Sequence, residues 1–385
     1  MFVTPKALSA RPNPRRLQSP EGATVLRFAA PPSQQRKHHP ADPVPARCAD
    51  VPAGSWSAAV LHALLRDRSD AADVRWRRWC VKLLRSDRLG PEQLHDWWTV
   101  VTEFDPVLAG YAANPVPVPD GTVVVAGSGK EQFKTFNVST AAAVLAAAAG
   151  VPVVKGISRS VSAVSGATDI LEALGIRPVT GPAAVAQVLD RYGIAFVAYP
   201  QFCPRYAARY DGVFDTLNPA SFFMPVATMC VRARSFVLGL AHHEVTLAAA
   251  ALRRIRPDLA TGIVVSTELS PGETVDEYGD VGALRVARQV AGVITSDLSQ
   301  GAPPTESWRR AVAHRSTHDA NAALVAQALT DGADTPATRL VEVNAALILE
   351  ASGASGNARE AVGRVRDARR SGHAMRLLTT LTNNR

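Results

Sequence analysis

The residues best suited to chemistry lie in one stretch near the middle of the chain. Gly127-Ser128-Gly129 follows a short apolar run, and Asn137-Val138-Ser139-Thr140 opens what reads as the next helix. Glycines let a backbone approach a phosphate closely, and a helix N-terminus offers free N–H groups and the positive end of a dipole. Ser139 and Thr140 add hydroxyls. The same glycines also fit a plain sharp turn. Two familiar phosphate motifs do not fit. The P-loop requires a glycine where Val124 stands and Ser or Thr where Glu131 follows Lys130. The dinucleotide fingerprint requires a third glycine where Gln132 stands.

A second polar cluster, Lys155, Arg159, Ser160, Ser162, Ser165 and Gly166, follows the next apolar run. Two anion-binding loops on one sheet edge suit a substrate with two phosphate groups. Read without that coincidence, Lys155 and Arg159 are solvated surface charges. The third element is Asp276-Glu277. Adjacent carboxylates can hold Mg²⁺ through one or two oxygens, with water and phosphate supplying the rest; an isolated acidic pair is otherwise surface. His242-His243 is expected inside a helix, pointing to different faces, and so is no chelating pair. The cysteines (Cys48, Cys80, Cys203, Cys230) are scattered without a CxxC pair, which argues against a disulfide scaffold or zinc site and fits a reducing cytoplasm.

These groups need elements to hold them. Residues 122–126 read as a strand, 139–150 as an Ala-rich helix and 152–155 as a second strand, which is the βαβ unit of a parallel sheet. Helices are expected at 165–174 and 185–192, strands at 194–199 and 262–266, and a largely helical region at 231–260. From residue 319 onward the chain reads as mostly helical. Residues 56–113 also read as helical, with a tryptophan stripe best explained as core.

The chain has 385 residues, 47 % hydrophobic and 20 % charged, an ordinary globular balance with no run long enough to span a membrane. The net charge of +8 is uneven: residues 1–55 hold eight Lys/Arg against three Asp/Glu, and ten of the 27 prolines. The basic character thus belongs mainly to a proline-rich extension that lacks the long apolar core of a secretory signal. The expected organisation is this extension at 1–55, a helical domain at 56–117 and an α/β domain at 118–385.

The stretch Gly127-Ser-Gly-Lys-Glu-Gln-Phe-Lys-Thr-Phe-Asn-Val-Ser-Thr140 resembles the GTGGDxxxTFNxST signature of the anthranilate phosphoribosyltransferase family. Residues 153–175, through Lys155, Arg159-Ser160-Val161-Ser162 and Leu171-Glu172-Ala173-Leu174-Gly175, resemble that family's VAKHGNRSVSSxSGSADVLEALG. Weaker similarity continues at Asp276-Glu277, Asn344-Ala345-Ala346 and Ser371-Gly372-His373-Ala374. The resemblance implies an α/β fold plus a small all-α domain, with a mainly parallel central sheet flanked by helices. It implies phosphoribosyl pyrophosphate as donor, Mg²⁺ as cofactor, and a cytoplasmic homodimer binding small molecules rather than membrane or nucleic acid. Donor contacts would fall on Gly127, Ser128, Gly129, Lys130, Thr135, Asn137, Ser139, Thr140, Lys155, Arg159 and Ser165. Lys155 and Glu131, the latter at the motif aspartate, would serve catalysis, and Ser139, Asp276 and Glu277 the metal.

The departures concern the acceptor. The family's third glycine is Lys130, its His-Gly-Asn is Gly156-Ile157-Ser158, its Phe-His-Pro is Phe202-Cys203-Pro204, and its acceptor-binding arginine falls on or near Val213. With Gly156, Ser158, Asp211 and Asp215 as acceptor residues and no cation expected there, the sequence points away from anthranilate. It points toward a cationic acceptor such as an aminoglycoside of specialised metabolism. Competing readings are a non-catalytic nucleic-acid-binding relative, a nucleoside phosphorylase of the same fold, and an anthranilate phosphoribosyltransferase of tryptophan synthesis.

Overall fold

The computed structural model describes residues 55–86, 88–159 and 165–383. The proline-rich segment up to residue 54, with Cys48, and Ser160 and Ser162 of the second polar cluster lie outside the described residues. The described residues belong to one compact unit.

Ser57 and Ser69 start the first two helices by accepting hydrogen bonds from Val60 and Ala72 N–H. These are α1 (Ala58–Arg66) and α2 (Asp70–Leu84), followed by α3 (Pro91–Phe104) and α4 (Pro106–Ala113). Trp56, Trp79 and Trp97 stack on one another, and Trp76 is fully buried against Phe214, so the tryptophans are core as expected.

The valine run then forms β1 (Val123–Gly127), followed by α5 (Val138–Ala148), β2 (Val153–Ile157), α6 (Ala167–Ala173), α7 (Val185–Tyr192), β3 (Ile194–Ala198), α8 (Pro204–Tyr210) and α9 (Met224–Ala227). Next come β4 (Ser235–Gly239), α10 (Val245–Ile255), β5 (Thr261–Ser270), β6 (Glu273–Val275), β7 (Ala283–Val290) and β8 (Val293–Gln300). The chain ends in α11 (Glu306–Val312), α12 (His318–Leu329), α13 (Pro336–Ser352), α14 (Ala358–Arg370) and α15 (His373–Asn383).

The sheet order is β3-β2-β1-β4-β5-β7-β8, with β6 paired to β5. From β3 through β5 every pairing is parallel; β6, β7 and β8 are antiparallel additions. Alternate residues of β1 serve two cores. Val124 and Ala126 join the cluster that contains the N-terminal helices, while Val123 and Val125 join the one formed by α5 and the C-terminal helices. The chain leaves β1 for β2 and β3 on one side and returns to β4 on the other. The crevice beyond the carboxyl ends of β1 and β4 is therefore the topological switch point, where ligands bind in open α/β sheets.

Two local expectations are corrected. Residues 231–260 are not largely helical: 235–239 form β4, buried on both faces, so its residues show no alternation and read like a buried helix segment. His242-His243 consequently lies in the turn after β4, with the rings stacked at 4.2 Å, rather than in a helix. The β7–β8 hairpin was not foreseen. It turns at Ala291-Gly292, both with positive φ, as a tight hairpin requires. Among the described residues no helix is long and apolar enough to cross a membrane, and the free thiols Cys80, Cys203 and Cys230 are all buried.

Candidate active site

The glycine loop sits at that switch point. Ser128 N–H donates to Gly239 O at 2.8 Å, tying the end of β1 to the end of β4, and Ser128 Oγ accepts from Ala241 N–H. Gly129 N–H donates to Asp276 Oδ2 at 3.0 Å. The glycines therefore have different uses. A Cβ on Gly127 would stand 2.7 Å from Asp276 Oδ2, so its bareness admits the carboxylate rather than a phosphate. Gly129 adopts φ +58 and a Cβ there would meet nothing within 4 Å, leaving its outer side open for a ligand.

The acidic pair is clamped from three sides. Thr267 Oγ1 donates to Glu277 O, Asn344 Oδ1 accepts from Tyr278 N–H, and Gly239 leaves room for the Asp276 backbone. Thr267, Gly239 and Asn344 were not foreseen as supports, although Asn344 lies in a stretch already noted; Gly239 was hidden by the helical reading of β4. Thr135 Oγ1 donates to Glu277 Oε1 at 2.7 Å. Ser139, in the first turn of α5, lines one small pocket with Asp276, Glu277 and Asn344.

Glu131 pairs with Lys134 at 3.4 Å. Burial, and then the Asp276 charge, push the Glu131 carboxyl up to about 7. Burial likewise raises Asp276, and raises Glu277 well above the carboxylate range. Lys155 is buried in the middle of β2, where its ammonium donates to Gly156 O. Burial lowers it to about 8 against the pull of Asp276 and Glu277.

Three polar atoms here are buried without a hydrogen-bond partner: Asn137 Oδ1, Thr140 Oγ1 and Glu277 Oε2. Asn137 is of a residue type that caps helices and stands at the N-cap of α5, yet its side chain makes no cap bond. Among the described residues no group of three His, Cys, Asp or Glu is arranged to hold a metal. Two hard carboxylates, one with an unpartnered buried oxygen, fit Mg²⁺ completed by water and phosphate.

A larger cleft is lined by the loop itself. Its walls include Tyr199, Tyr206, Tyr210 and Phe214, and it brings together Gly127, Ser128, Lys130, Gly156, Ser158 and Asp211. Tyr199 OH donates to Asp211. Four of the residues expected in the site are placed otherwise. Lys130 turns its ammonium away from the glycine loop to Tyr210 OH at 3.0 Å, because its φ of +66 directs the side chain toward α8. Arg159 is exposed and paired with Glu172 and Asp169. Ser165 is buried with its Oγ 2.7 Å from His318 Nδ1. Asp215 is exposed and does not line the cleft. Val213, where the acceptor arginine was expected to fall, is a core residue whose carbonyl accepts from Arg77.

Residues 120–375 match the model of the glycosyl transferase family, a/b domain. The anthranilate phosphoribosyltransferase of Thermomicrobium roseum is 31 % identical over 299 residues, 73 % of this chain and 81 % of that protein. The Mycobacterium marinum enzyme of the same name is 45 % identical over 109 residues, 28 % of this chain and 29 % of the other. Among solved structures, the anthranilate phosphoribosyltransferase of Thermus thermophilus superposes with a TM-score of 0.66 at 24 % identity, covering 84 % of this chain and 93 % of its own. The Saccharomyces cerevisiae enzyme in complex with PRPP and Mg does so at 0.64 and 18 %, covering 85 % and 93 %. These two establish a shared fold, the expected mainly parallel sheet flanked by helices. With the motif carried on β1, α5 and β2, and the sequence matches extending across most of the chain, this protein belongs to the glycosyl transferase family, among its anthranilate phosphoribosyltransferase-like members.

Proposed function

We propose that the protein is a Mg²⁺-dependent phosphoribosyltransferase that takes phosphoribosyl pyrophosphate as donor and passes the phosphoribosyl group to a small aromatic acceptor. One observation carries this reading. Two pockets lie close to one glycine loop: one, lined by Ser139 and the acidic pair, holds the unpartnered buried Glu277 Oε2, and the other, lined by Gly127, Ser128 and Lys130 of the loop itself, is walled by aromatic rings.

The pyrophosphate of the donor would meet the open side of Gly129, the N-terminus of α5 and the hydroxyls of Ser139 and Thr140. Asp276 and Glu277, with Ser139, would hold Mg²⁺, which neutralises charge on the departing pyrophosphate. Lys155 adds a buried positive charge beside these groups, and fixed charges in a dry site act most strongly on charge that develops during reaction. Asn344 and Thr267 position the acidic pair and touch no reacting atom. The acceptor nucleophile attacks C1 of the ribose, the C1–O bond to pyrophosphate breaks with its electron pair on the leaving oxygen, the nucleophile's proton is released to solvent, and the configuration inverts.

The cationic acceptor expected from Asp211 and Asp215 loses its footing. Asp215 lies outside the cleft, Asp211 is held by Tyr199, and an ammonium already stands inside. The argument against anthranilate weakens for the same reason, since it rested on the absence of a cation. The test is incubation with phosphoribosyl pyrophosphate, Mg²⁺ and a panel of aromatic amines and acids, anthranilate included, beside an aminoglycoside. A mass increment of one phosphoribosyl group on an aromatic member is expected. No increment on any aromatic member, with no donor binding by calorimetry, overturns the reading.

A further inference from the structure

We infer that Lys130 is the specificity-determining residue for the acceptor, its ammonium receiving an acidic substituent carried on an aromatic body. This deepens the proposed function and rests on it. The first observation is where the charge sits. Lys130 Nζ lies 5.2 Å from the Tyr210 ring centre and 5.9 Å from that of Phe214, and its one hydrogen bond is to a neutral phenol. Among the described residues no carboxylate lies within ion-pair distance of it. An ammonium has three donors, and Tyr210 OH takes one.

The second observation is what surrounds the remaining donors. Tyr210 OH also accepts from Asn218 Nδ2 at 2.8 Å. With both lone pairs of that oxygen engaged, its own hydrogen remains to be donated. Tyr206, stacked on Tyr210 with ring centres 5.1 Å apart, is buried with a hydroxyl that has no partner. Three groups on one wall of the cleft therefore have hydrogens to give. A carboxylate, or another anionic oxygen group, accepts hydrogen bonds and donates none. The rings beside it supply flat apolar walls for an aromatic body.

The third observation is conformational. A side chain at φ +66 is strained, and a non-glycine residue there is uncommon. Glycine would relieve the strain but would remove the cation. Strain of this kind persists where the surrounding structure enforces it, and it concentrates at ligand sites.

The experiment uses the full chain, with anthranilate as the acidic probe and 2-aminobenzamide as its uncharged counterpart. Binding of each, and of phosphoribosyl pyrophosphate with Mg²⁺, is measured by calorimetry for the wild type, Lys130→Met, Lys130→Arg and Lys130→Gly. Wild type is expected to prefer the acid. Lys130→Met should weaken anthranilate at least about tenfold, the scale of one charge-assisted contact, and change 2-aminobenzamide by less than about twofold. Lys130→Arg should restore the preference, and donor affinity should be unchanged in Lys130→Met. Lys130→Gly keeps the left-handed backbone without strain and should lose the preference equally, which covers the case of a Met variant that fails to fold.

Equal loss for both probes would make Lys130 a packing residue and overturn the inference. So would a loss of donor affinity with the acid-to-amide ratio intact, or a wild type that does not distinguish the probes. Failure of the wild type to bind the donor at all is a separate result and counts against the proposed function.

Discussion

Gly239→Ala offers a sharp test of how the acidic pair is held. The added methyl would stand 1.8 Å from Asp276 O, 2.9 Å from its carbonyl carbon and 3.2 Å from its Cβ. Carbon contacts become favourable only near 3.5 Å, so the Asp276 backbone must retreat by roughly 1.5 Å. Both neighbours are backbone, one on a paired strand, so no flexible side chain absorbs the shift. Overpacking of this kind costs about 1–3 kcal/mol. The retreat also draws Asp276 Oδ2 away from Gly129 N–H, a bond of 3.0 Å to a charged group, worth about 1.5–3 kcal/mol. Thermal unfolding should shift down on the order of 5 °C. Mg²⁺-dependent binding of phosphoribosyl pyrophosphate should weaken by at least about thirtyfold, or roughly 2 kcal/mol. The control is Gly110→Ala, in α4, where a Cβ meets nothing within 4 Å. Both quantities are read by scanning calorimetry and titration calorimetry. If Gly239→Ala behaves like the control in both, the backbone of the acidic pair is not held as described, and the donor site cannot depend on that close approach.

Three further outcomes follow from the same geometry. Asp276→Asn with Glu277→Gln should abolish Mg²⁺-dependent pyrophosphate release, by about a hundredfold or more, without lowering the melting temperature of the metal-free protein, because burial already disfavours both charges; a release assay and a thermal scan in chelator check the two halves. Glu131 is raised from its ordinary 4.5 to about 7, so its proton stabilises the fold below pH 4.5 and that stability is lost as pH rises through 7, by up to about 3 kcal/mol; denaturant titrations in chelator between pH 4.5 and 8 should show the decline, and Glu131→Gln should flatten it. Gly129→Val places a β-branched residue at φ +58 where no protein atom opposes its Cβ, so stability should fall only by about 1–2 kcal/mol of backbone strain, while donor affinity falls by at least about 2 kcal/mol; equal donor affinity in variant and wild type would mean that no phosphate reaches that face.

The elements around the proposed donor site were legible because their requirements are local. A valine run ending in glycines, a helix start rich in hydroxyls and a second strand containing a lysine are each written in a few consecutive residues. The crossing rules of parallel sheets then bring them to one edge. The Asp276-Glu277 pair could be picked out as a candidate for metal-binding chemistry, but its supports could not. Thr267, Asn344 and Gly239 act through a backbone carbonyl, a backbone N–H and a missing Cβ, and none of these carries a compositional signal. β4 was lost for a related reason, since a strand buried on both faces has no alternation to read.

The acceptor side fails differently, through the direction of one side chain. On spacing alone, Lys130 belongs to the glycine loop and its charge belongs to the phosphates. Its positive φ reverses that assignment and sends the ammonium across to Tyr210, contributed by α8 from eighty residues away. Consecutive residues of one loop thus serve opposite sides. Gly129 gives its N–H to Asp276, which lines the acidic pocket, while Lys130 carries a charge into the aromatic cleft. A loop divided in this way holds the two pockets at a fixed separation, because moving either residue moves its neighbour. For a reaction in which a nucleophile must reach one carbon as pyrophosphate leaves from its opposite side, that coupling supplies the alignment that separate loops would have to find on each encounter. It also means that acceptor choice can change by substitution inside the donor motif, so divergence within a glycine loop is evidence about the acceptor as much as about the phosphates.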